Sequence, residues 1–201
     1  MTGRHLFCAT SNRGKLREFA LAAERLGRGE WQFTPVTGIE PCDETGSTFA
    51  ENAGQKAVYY SRHADGLLFA EDSGLSVDAL DGAPGVYSAR FAGEGATDEQ
   101  NNRLLIQQLA GVPTEQRSAR YVCAIALARN GEVLATFEGT VEGRIVDEPQ
   151  GSNGFGYDPY FFYPPFECTF AQATPEQKLS VSHRGKAVEA MLRYVSGQDL
   201  S

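Results

Sequence analysis

The sequence predicts an α/β fold with a mixed central sheet. Two apolar runs, Leu6–Ala9 and Leu67–Ala70, have the length of buried strands, and the first is followed by a polar turn and a helical pattern. Farther along, Asn130-Gly131 lies between two β-rich segments, which is typical of a hairpin. Because a hairpin requires antiparallel neighbours, we expect helices packed against a sheet of mixed strand direction.

The remaining elements follow from local signals. Apolar residues at helical spacing predict the first and last helices. Thr48, Thr97 and Thr174 each begin a capping signal, with Glu or Gln three residues later. In chain order we predict strand 4–10, helix 16–26, strand 31–36, helix 48–62, strand 67–70, helix 97–109, hairpin strands 120–128 and 133–141, and two helices after 174.

Length and composition limit the possible functions. The 201 residues suit one large domain or two small lobes around one cleft, and we expect a single domain over 1–201. With 26 acidic against 18 basic residues, the charge of −8 argues against nucleic-acid or membrane-surface binding. No apolar stretch is long enough for a membrane span or a signal peptide, so we expect a cytoplasmic protein. The scattered cysteines predict reduced thiols, with Cys8 and Cys123 in the core.

The turn between the first strand and the first helix is a candidate phosphate site. Backbone N–H groups at a helix N-terminus bind anions, and Lys15 adds a full positive charge. The segment is not a Walker A loop, because Leu16 stands where a hydroxyl would hold magnesium. An ordinary turn with a solvated lysine explains the same residues. The candidates are Thr10, Ser11, Asn12, Arg13, Gly14 and Lys15.

Carboxylates occur in two groups that could serve a metal. Asp72 follows the predicted strand 67–70, and ligands usually bind at the carboxyl ends of strands in open α/β sheets. Magnesium prefers one or two carboxylates and bridges substrate phosphates, so Asp72 is a candidate metal ligand or base. Asp43 and Glu44 precede the Thr48 cap, where acids also simply favour a helix N-terminus.

Two later segments are candidates for holding a flat or anionic ligand. In the glycine-rich loop 151–156, the backbone can approach a ligand closely, and Phe155 would stack on a base. Asp158 would accept hydrogen bonds from ring N–H groups. Lys178, His183 and Arg184 lie near the start of the last helix, where basic groups oppose the helix dipole and favour an anionic or oxo ligand. The alternatives are a tight turn with a core aromatic residue and a histidine that caps the helix or faces solvent.

In this order, the segments resemble the inosine triphosphate pyrophosphatase family. The matching segments are Ala9–Lys15, Glu44–Ala53, Asp72–Gly93, Gly154–Pro159 and Ser182–Gly185. They extend over nearly the whole chain. Two departures are visible: Ser11 stands where the family usually has glycine, and Glu71 where many bacterial members have aspartate, which adds a methylene beside the expected metal. Neither removes a required functional group, so we expect activity.

The resemblance implies a mixed, twisted sheet flanked by helices, two lobes with an intervening cleft, and a homodimer. It implies hydrolysis of ITP, dITP and XTP to the monophosphate and pyrophosphate, with Mg²⁺. Asp72 would be the catalytic acid and a metal ligand, with Glu44 or Asp43 as the second metal carboxylate. The implied substrate-binding residues are the loop 10–15, Ser73, Phe155, Gly156, Tyr157, Asp158, Lys178, His183 and Arg184.

Two other functions remain possible at this stage. One is a related pyrophosphatase for pyrimidine or modified nucleotides. The other is a nucleotide sensor without catalysis, although Lys15, Asp72 and Lys178 argue against it. Release of pyrophosphate from a panel of triphosphates would separate them.

Overall fold

The computed structural model describes residues 4–197, and within them it contains one seven-stranded sheet and helices. The strands are β1 (Arg4–Ala9), β2 (Trp31–Pro35), β3 (Leu68–Val77), β4 (Ser118–Arg129), β5 (Glu132–Ile145), β6 (Phe161–Tyr163) and β7 (Cys168–Thr169). The α-helices are α1 (Arg13–Arg25), α2 (Phe49–Ser61), α3 (Asp98–Gln108), α4 (Pro175–Val181) and α5 (His183–Gly197).

The sheet is mixed, as the sequence predicts. Its strand order is β2-β1-β3-β4-β5-β6-β7. Strand β1 pairs in parallel with β2 and β3, whereas β6 pairs in antiparallel direction with β5 and β7. Asn130 and Gly131 connect β4 to β5 with φ angles of 53° and 84°, the left-handed conformation that tight hairpin turns require.

Three helix starts are set by their caps. The hydroxyl oxygens of Thr48, Thr97 and Thr174 accept hydrogen bonds from the backbone N–H three residues on, and all three form complete capping boxes. These local signals confirm the predicted starts of α2, α3 and α4. On α2, Ala53 and Ala57, which are four residues apart and so lie on one face of the helix, are buried against the sheet.

Strand β3 differs from its prediction. The apolar run ends at Ala70, but the strand continues to Val77, so Asp72 lies in the middle of a strand and not at its end. Glu71 and Asp72 are both buried. Burying two adjacent carboxylates requires charged partners, and each of them has such partners in the structure. The apolar pattern in the sequence ends at Ala70, whereas strand β3 continues beyond it.

The chain forms two compact units. The first comprises residues 4–72, 123–139 and 183–197 of the described chain, and the second comprises residues 73–122 and 140–182. The first unit has an alanine-rich core that includes Ala57 and Ala126, whereas the second has an aromatic core that includes Tyr121, Phe161 and Phe170. Two units agree with the predicted lobes; the predicted cleft stays a prediction.

Two further expectations concern the state of the cysteines and membrane-spanning helices. All four cysteines are free, and Cys8 and Cys123 are buried, which confirms their place in the core. Among residues 4–197, no helix combines the length and the apolar character needed to cross a membrane.

Candidate active site

In the first unit, the loop before α1 has the predicted strand–turn–helix geometry. Asn12 caps the helix, because its Oδ1 accepts a hydrogen bond from the backbone N–H of Lys15 at 3.0 Å. The backbone N–H of Asn12 in turn donates to Thr10 Oγ1 at 3.2 Å. Ser11 and Arg13 are exposed, whereas Gly14 is buried. The start of α1 is therefore fixed and faces solvent, as an anion site requires.

The side chain of Lys15 ends on Glu71. Its Nζ lies 2.8 Å from Glu71 Oε1, and the Glu71 side chain is only 1% exposed. The same oxygen accepts from the guanidinium of Arg184 at 3.3 Å. Arg184 also pairs with Glu18 of helix α1. One buried carboxylate therefore joins the cation of α1 to the cation of α5.

This ion network is held in its charged form. Burial raises the pKa of Glu71, but the charges of Lys15, Arg184 and Lys56 outweigh it and hold that pKa well below its usual range. For Arg184, burial lowers the pKa, and the charges of Glu71 and Glu18 reverse the effect. Basic groups at the start of the last helix predicted an anionic or oxo ligand near Arg184. In the structure, the anionic neighbours of Arg184 are carboxylates of the chain itself.

Asp72 points to the other face of β3, since adjacent strand residues alternate. Its Oδ1 lies 3.2 Å from Lys56 Nζ, which also contacts Glu44 Oε2 at 3.0 Å. Its Oδ2 accepts from Asn52 Nδ2 at 3.2 Å. Glu71 contacts α1 and α5, whereas Asp72 contacts α2. The charge of Glu71 still acts on Asp72 and Lys56, and its expected place beside a metal stays a prediction.

The environment of Asp72 favours a proton acceptor. Burial raises its pKa and exceeds the lowering effect of Lys56 and Lys15, and the charges of Glu71 and Glu44 add to the increase. For Lys56, burial lowers the pKa, but the surrounding carboxylates more than restore it. Asp72 is therefore more basic than an ordinary aspartate, while Lys56 stays a cation.

The carboxylates of Asp72 and Glu44 fit a divalent metal. They share one cation, the Lys56 ammonium, and two carboxylates with substrate oxygens form the donor set that Mg²⁺ prefers. Asp43 is exposed, and the hydrogen bond found for it uses its backbone oxygen. Within residues 4–197, no three His, Cys, Asp or Glu side chains gather as a ready metal site. Phosphate oxygens and waters would therefore have to supply most ligands.

In the second unit, Asp158 organises the predicted base-binding loop from within. Its Oδ2 accepts from the backbone N–H of Phe155 at 2.9 Å and from Lys178 Nζ at 2.5 Å. Its Oδ1 accepts from the Tyr121 hydroxyl at 3.3 Å. Asp158 is 2% exposed and its carboxylate holds the loop, while its predicted hydrogen bond to a ring N–H stays a prediction.

Phe155 forms a half-buried aromatic surface beside a cation. Lys178 Nζ lies 5.1 Å from the centre of its ring. Gly154, with φ of 76°, is needed because a Cβ there would come within 2.0 Å of Asp158 Oδ2. The Tyr157 ring is buried and its hydroxyl donates to the backbone oxygen of Ser88 at 2.7 Å. The aromatic ring that remains partly accessible is therefore Phe155.

A cavity of about 600 Å³ adjoins this loop in the second unit. Phe155 and Gly156 line it, whereas Asp158 and Lys178 do not. Four acids also line it: Asp98, Glu99, Asp147 and Glu148. Such a wall disfavours phosphate, and the cavity therefore does not suit the triphosphate of a nucleotide.

The remaining predicted residues lie at unit boundaries along the chain. Ser73 follows Asp72 in β3 and is half-buried. His183 begins α5 and is 3% exposed. Their substrate contacts stay predictions.

Sequence reasoning missed Asn52 and Lys56. Both are buried. In addition to contacting Asp72, they hold the segment before α2: Asn52 Oδ1 accepts from the backbone N–H of Gly46 at 2.8 Å, and Lys56 contacts Glu44. The sequence did contain a signal for them. Asn52 and Lys56 each directly precede a buried alanine of α2 and are four residues apart, so their side chains lie on one side of the helix next to its core face. Polar residues at such positions need partners.

Together, the mixed sheet, the capped phosphate-type loop and the acid–lysine cluster define an α/β protein suited to metal-assisted chemistry on phosphates. The chain belongs to the Ham1 family, a model of which matches residues 6–194. This match covers every segment on which the resemblance was based and confirms it.

Relatives of known sequence and structure agree. The dITP/XTP pyrophosphatase of Exiguobacterium sibiricum is 46% identical over 187 residues, which is 92% of this chain and 94% of that protein. The protein of the same name from Acidobacterium capsulatum is 46% identical over 204 residues, covering 96% and 98%. The Staphylococcus aureus Ham1 protein superposes with a TM-score of 0.83 at 36% identity, covering 96% and 99%. The nucleoside-triphosphatase (dITP/XTP pyrophosphatase) of Mycobacterium abscessus gives 0.72 at 40%, covering 94% and 99%.

Proposed function

We propose that this chain hydrolyses ITP, dITP and XTP to the nucleoside monophosphate and pyrophosphate, and so removes them from the nucleotide pool. The observation that carries the proposal is the shared Lys56 contact of Asp72 and Glu44, in a chain whose relatives are named dITP/XTP pyrophosphatases. A homodimer belongs to the same proposal and rests on the family resemblance, and a cytoplasmic location stays the expectation drawn from the sequence.

Asp72 and Glu44 would hold Mg²⁺. Both residues are exposed, and Glu44 is preferred to Asp43 because it shares Lys56 with Asp72. When bound, the metal would supply positive charge at the phosphate oxygens.

Asp72 would accept the proton of the attacking water. The water oxygen forms a bond to the α-phosphorus, the bond from that phosphorus to the bridging oxygen breaks, and pyrophosphate leaves with the electron pair. In the chain without metal, burial raises the pKa of Asp72, which supports this role. Lys15 and Lys56 would offset the negative charge of the phosphates, and Asn52 would keep the carboxylate oriented.

Base recognition is assigned to the second unit. Phe155 would stack on the purine, and Lys178, which lies near that ring, has donors and no acceptor. A 6-oxo group can accept from such a donor, whereas the 6-amino group of adenine cannot, so adenine would be rejected. Guanine shares the 6-oxo group, and its exclusion would therefore act at the 2-amino position. Substrate roles for His183 and Arg184 stay predictions.

A panel assay tests the proposal. Pyrophosphate release is measured from ITP, dITP, XTP, ATP, GTP and UTP, with Mg²⁺ and with a chelator. We expect release from the first three only, and only with metal. Hydrolysis of ATP at the rate of ITP would contradict the base assignment, and tight ITP binding without release would identify a sensor. Light scattering of the purified protein measures the oligomeric state.

A further inference from the structure

One residue of the base-binding loop is held at both of its backbone polar groups by a single helix. The Gly156 N–H donates to Asp98 Oδ2 at 2.7 Å, and the Gly156 carbonyl accepts from Asn102 Nδ2 at 2.9 Å. Asp98 and Asn102 are four residues apart on α3, so their side chains lie on one face of the helix. We call this pair of contacts the α3 clamp.

The clamp acts next to the aromatic surface. Gly156 follows Phe155 in the chain, and the Phe155 N–H is itself bound by Asp158 at 2.9 Å. Consecutive peptide groups on both sides of the Phe155 ring are therefore fixed. The start of α3 is fixed as well, because Thr97 and Gln100 form a capping box.

Asn102 has a feature that the stability of α3 does not explain. The residue is 7% exposed, and its Oδ1 is buried with no hydrogen-bond partner among residues 4–197. A buried acceptor without a partner destabilises a protein, and an apolar side chain at this position would avoid that cost. The contact that the amide does make is the one to the loop. This observation points to loop positioning as the reason for an asparagine here.

We propose that Asp98 and Asn102 are positioning residues for the nucleobase: they hold the Phe155–Gly156 backbone in the conformation that lets the Phe155 ring stack. The inference rests on the proposed role of Phe155 and extends it to a helix for which the sequence predicted no function. Neither side chain needs to touch the substrate. Without the clamp, the loop would sample other conformations, and binding would bear the cost of ordering it.

The first test is steady-state kinetics with ITP on Asp98→Ala, Asp98→Asn and Glu99→Ala. We expect Asp98→Ala to raise KM about fivefold with kcat within about twofold, the pattern of lost binding before the chemical step. Asp98→Asn keeps an acceptor oxygen and should stay within about twofold of the parent KM. Glu99→Ala is the matched control, because it removes a carboxylate from the same helical turn and cavity wall, while that carboxylate bonds to Thr97 and not to the loop.

The second test does not depend on activity. Amide hydrogen exchange in the free protein should accelerate in the segment around Gly156 for Asp98→Ala, and not for Glu99→Ala. Asn102→Ala cuts the clamp at its other end and serves if Asp98→Ala fails to fold. Unchanged exchange would overturn the clamp itself. Faster exchange with an unchanged KM, or no rescue by Asp98→Asn, would overturn its role in base binding. A parent protein that does not hydrolyse ITP would instead refute the proposed function.

Discussion

Two adjacent carboxylates of strand β3 have opposite environments. Glu71 faces α1 and α5, contacts two cations, and has a pKa well below its usual range, because their charges outweigh the effect of burial. Asp72 faces α2, contacts one cation and one amide, and has a raised pKa, because burial outweighs the charge of Lys56. Both side chains carry the same functional group, a carboxylate. The number and placement of cations decide that one carboxylate is a structural counter-ion and the other a candidate base.

The largest effect is expected at the candidate base. Asp72→Asn keeps the shape of the side chain but removes its negative charge and its capacity to take a proton, so kcat for ITP should fall about a thousandfold. The measurement is turnover at saturating Mg²⁺, with circular dichroism to check the fold. Turnover near that of the parent protein would remove Asp72 from its assigned role.

The second effect concerns stability and not turnover. Glu71→Gln removes the charge that Lys15 and Arg184 share, and breaking a buried ion pair from one side should lower the free energy of unfolding by about 3 kcal/mol. Denaturant unfolding of the metal-free protein measures it. The control is Glu24→Gln, which removes an exposed carboxylate beside Arg25 and should change little. Equal losses in the two variants would show that the buried network contributes nothing special.

A third change separates the two candidate metal carboxylates. Glu44→Gln should raise the Mg²⁺ concentration needed for half-maximal activity about tenfold, because one charged ligand is lost. Asp43→Asn, which removes the neighbouring exposed charge, should leave it within about twofold. A larger effect of Asp43→Asn than of Glu44→Gln would exchange their assignments. Magnesium titrations of both variants provide the answer.

The smallest effect is expected from Glu71→Asp. The charge is retained and one methylene is lost, so the contacts at 2.8 and 3.3 Å would lengthen while the network stays ionised. We expect a loss of about 1 kcal/mol in the free energy of unfolding, with kcat for ITP unchanged. A loss as large as that of Glu71→Gln would mean that geometry, and not charge, is what Glu71 supplies.

The sequence predicted the parts of this protein that depend on local signals. The capping boxes at Thr48 and Thr97 and the turn at Asn130-Gly131 are each complete within a few residues, so α2, α3 and the β4–β5 connection could be located without tertiary information. The charged motifs also drew attention to Asp72 and Lys15, which the structure places in ion clusters of the chain, while their roles toward metal and phosphate stay predictions. The hairpin signal at Asn130-Gly131 predicted the mixed sheet, and the family resemblance implied the same fold.

The sequence could not predict which way charges point or how they pair. Strand β3 continues beyond its apolar run because Glu71 and Asp72 meet cations from helices far apart in the chain, and such partners leave no local pattern. Lys56 reads as a surface lysine until Asp72 and Glu44 are placed around it. Asp158 likewise looked available to a ligand, whereas its oxygens are used by Tyr121, Lys178 and the Phe155 backbone.

The bond between Arg184 and Glu71 joins residues 113 positions apart. A ribosome therefore delivers Glu71 long before the guanidinium that helps to neutralise it. Until helix α5 emerges, the carboxylate lacks the charge of Arg184, and the cations made earlier, Lys15 and Lys56, oppose its desolvation. The final ordering of the first unit must wait until helix α5 has been translated, so a nascent chain stalled before residue 183 should be far more open to proteolysis than a chain that includes α5.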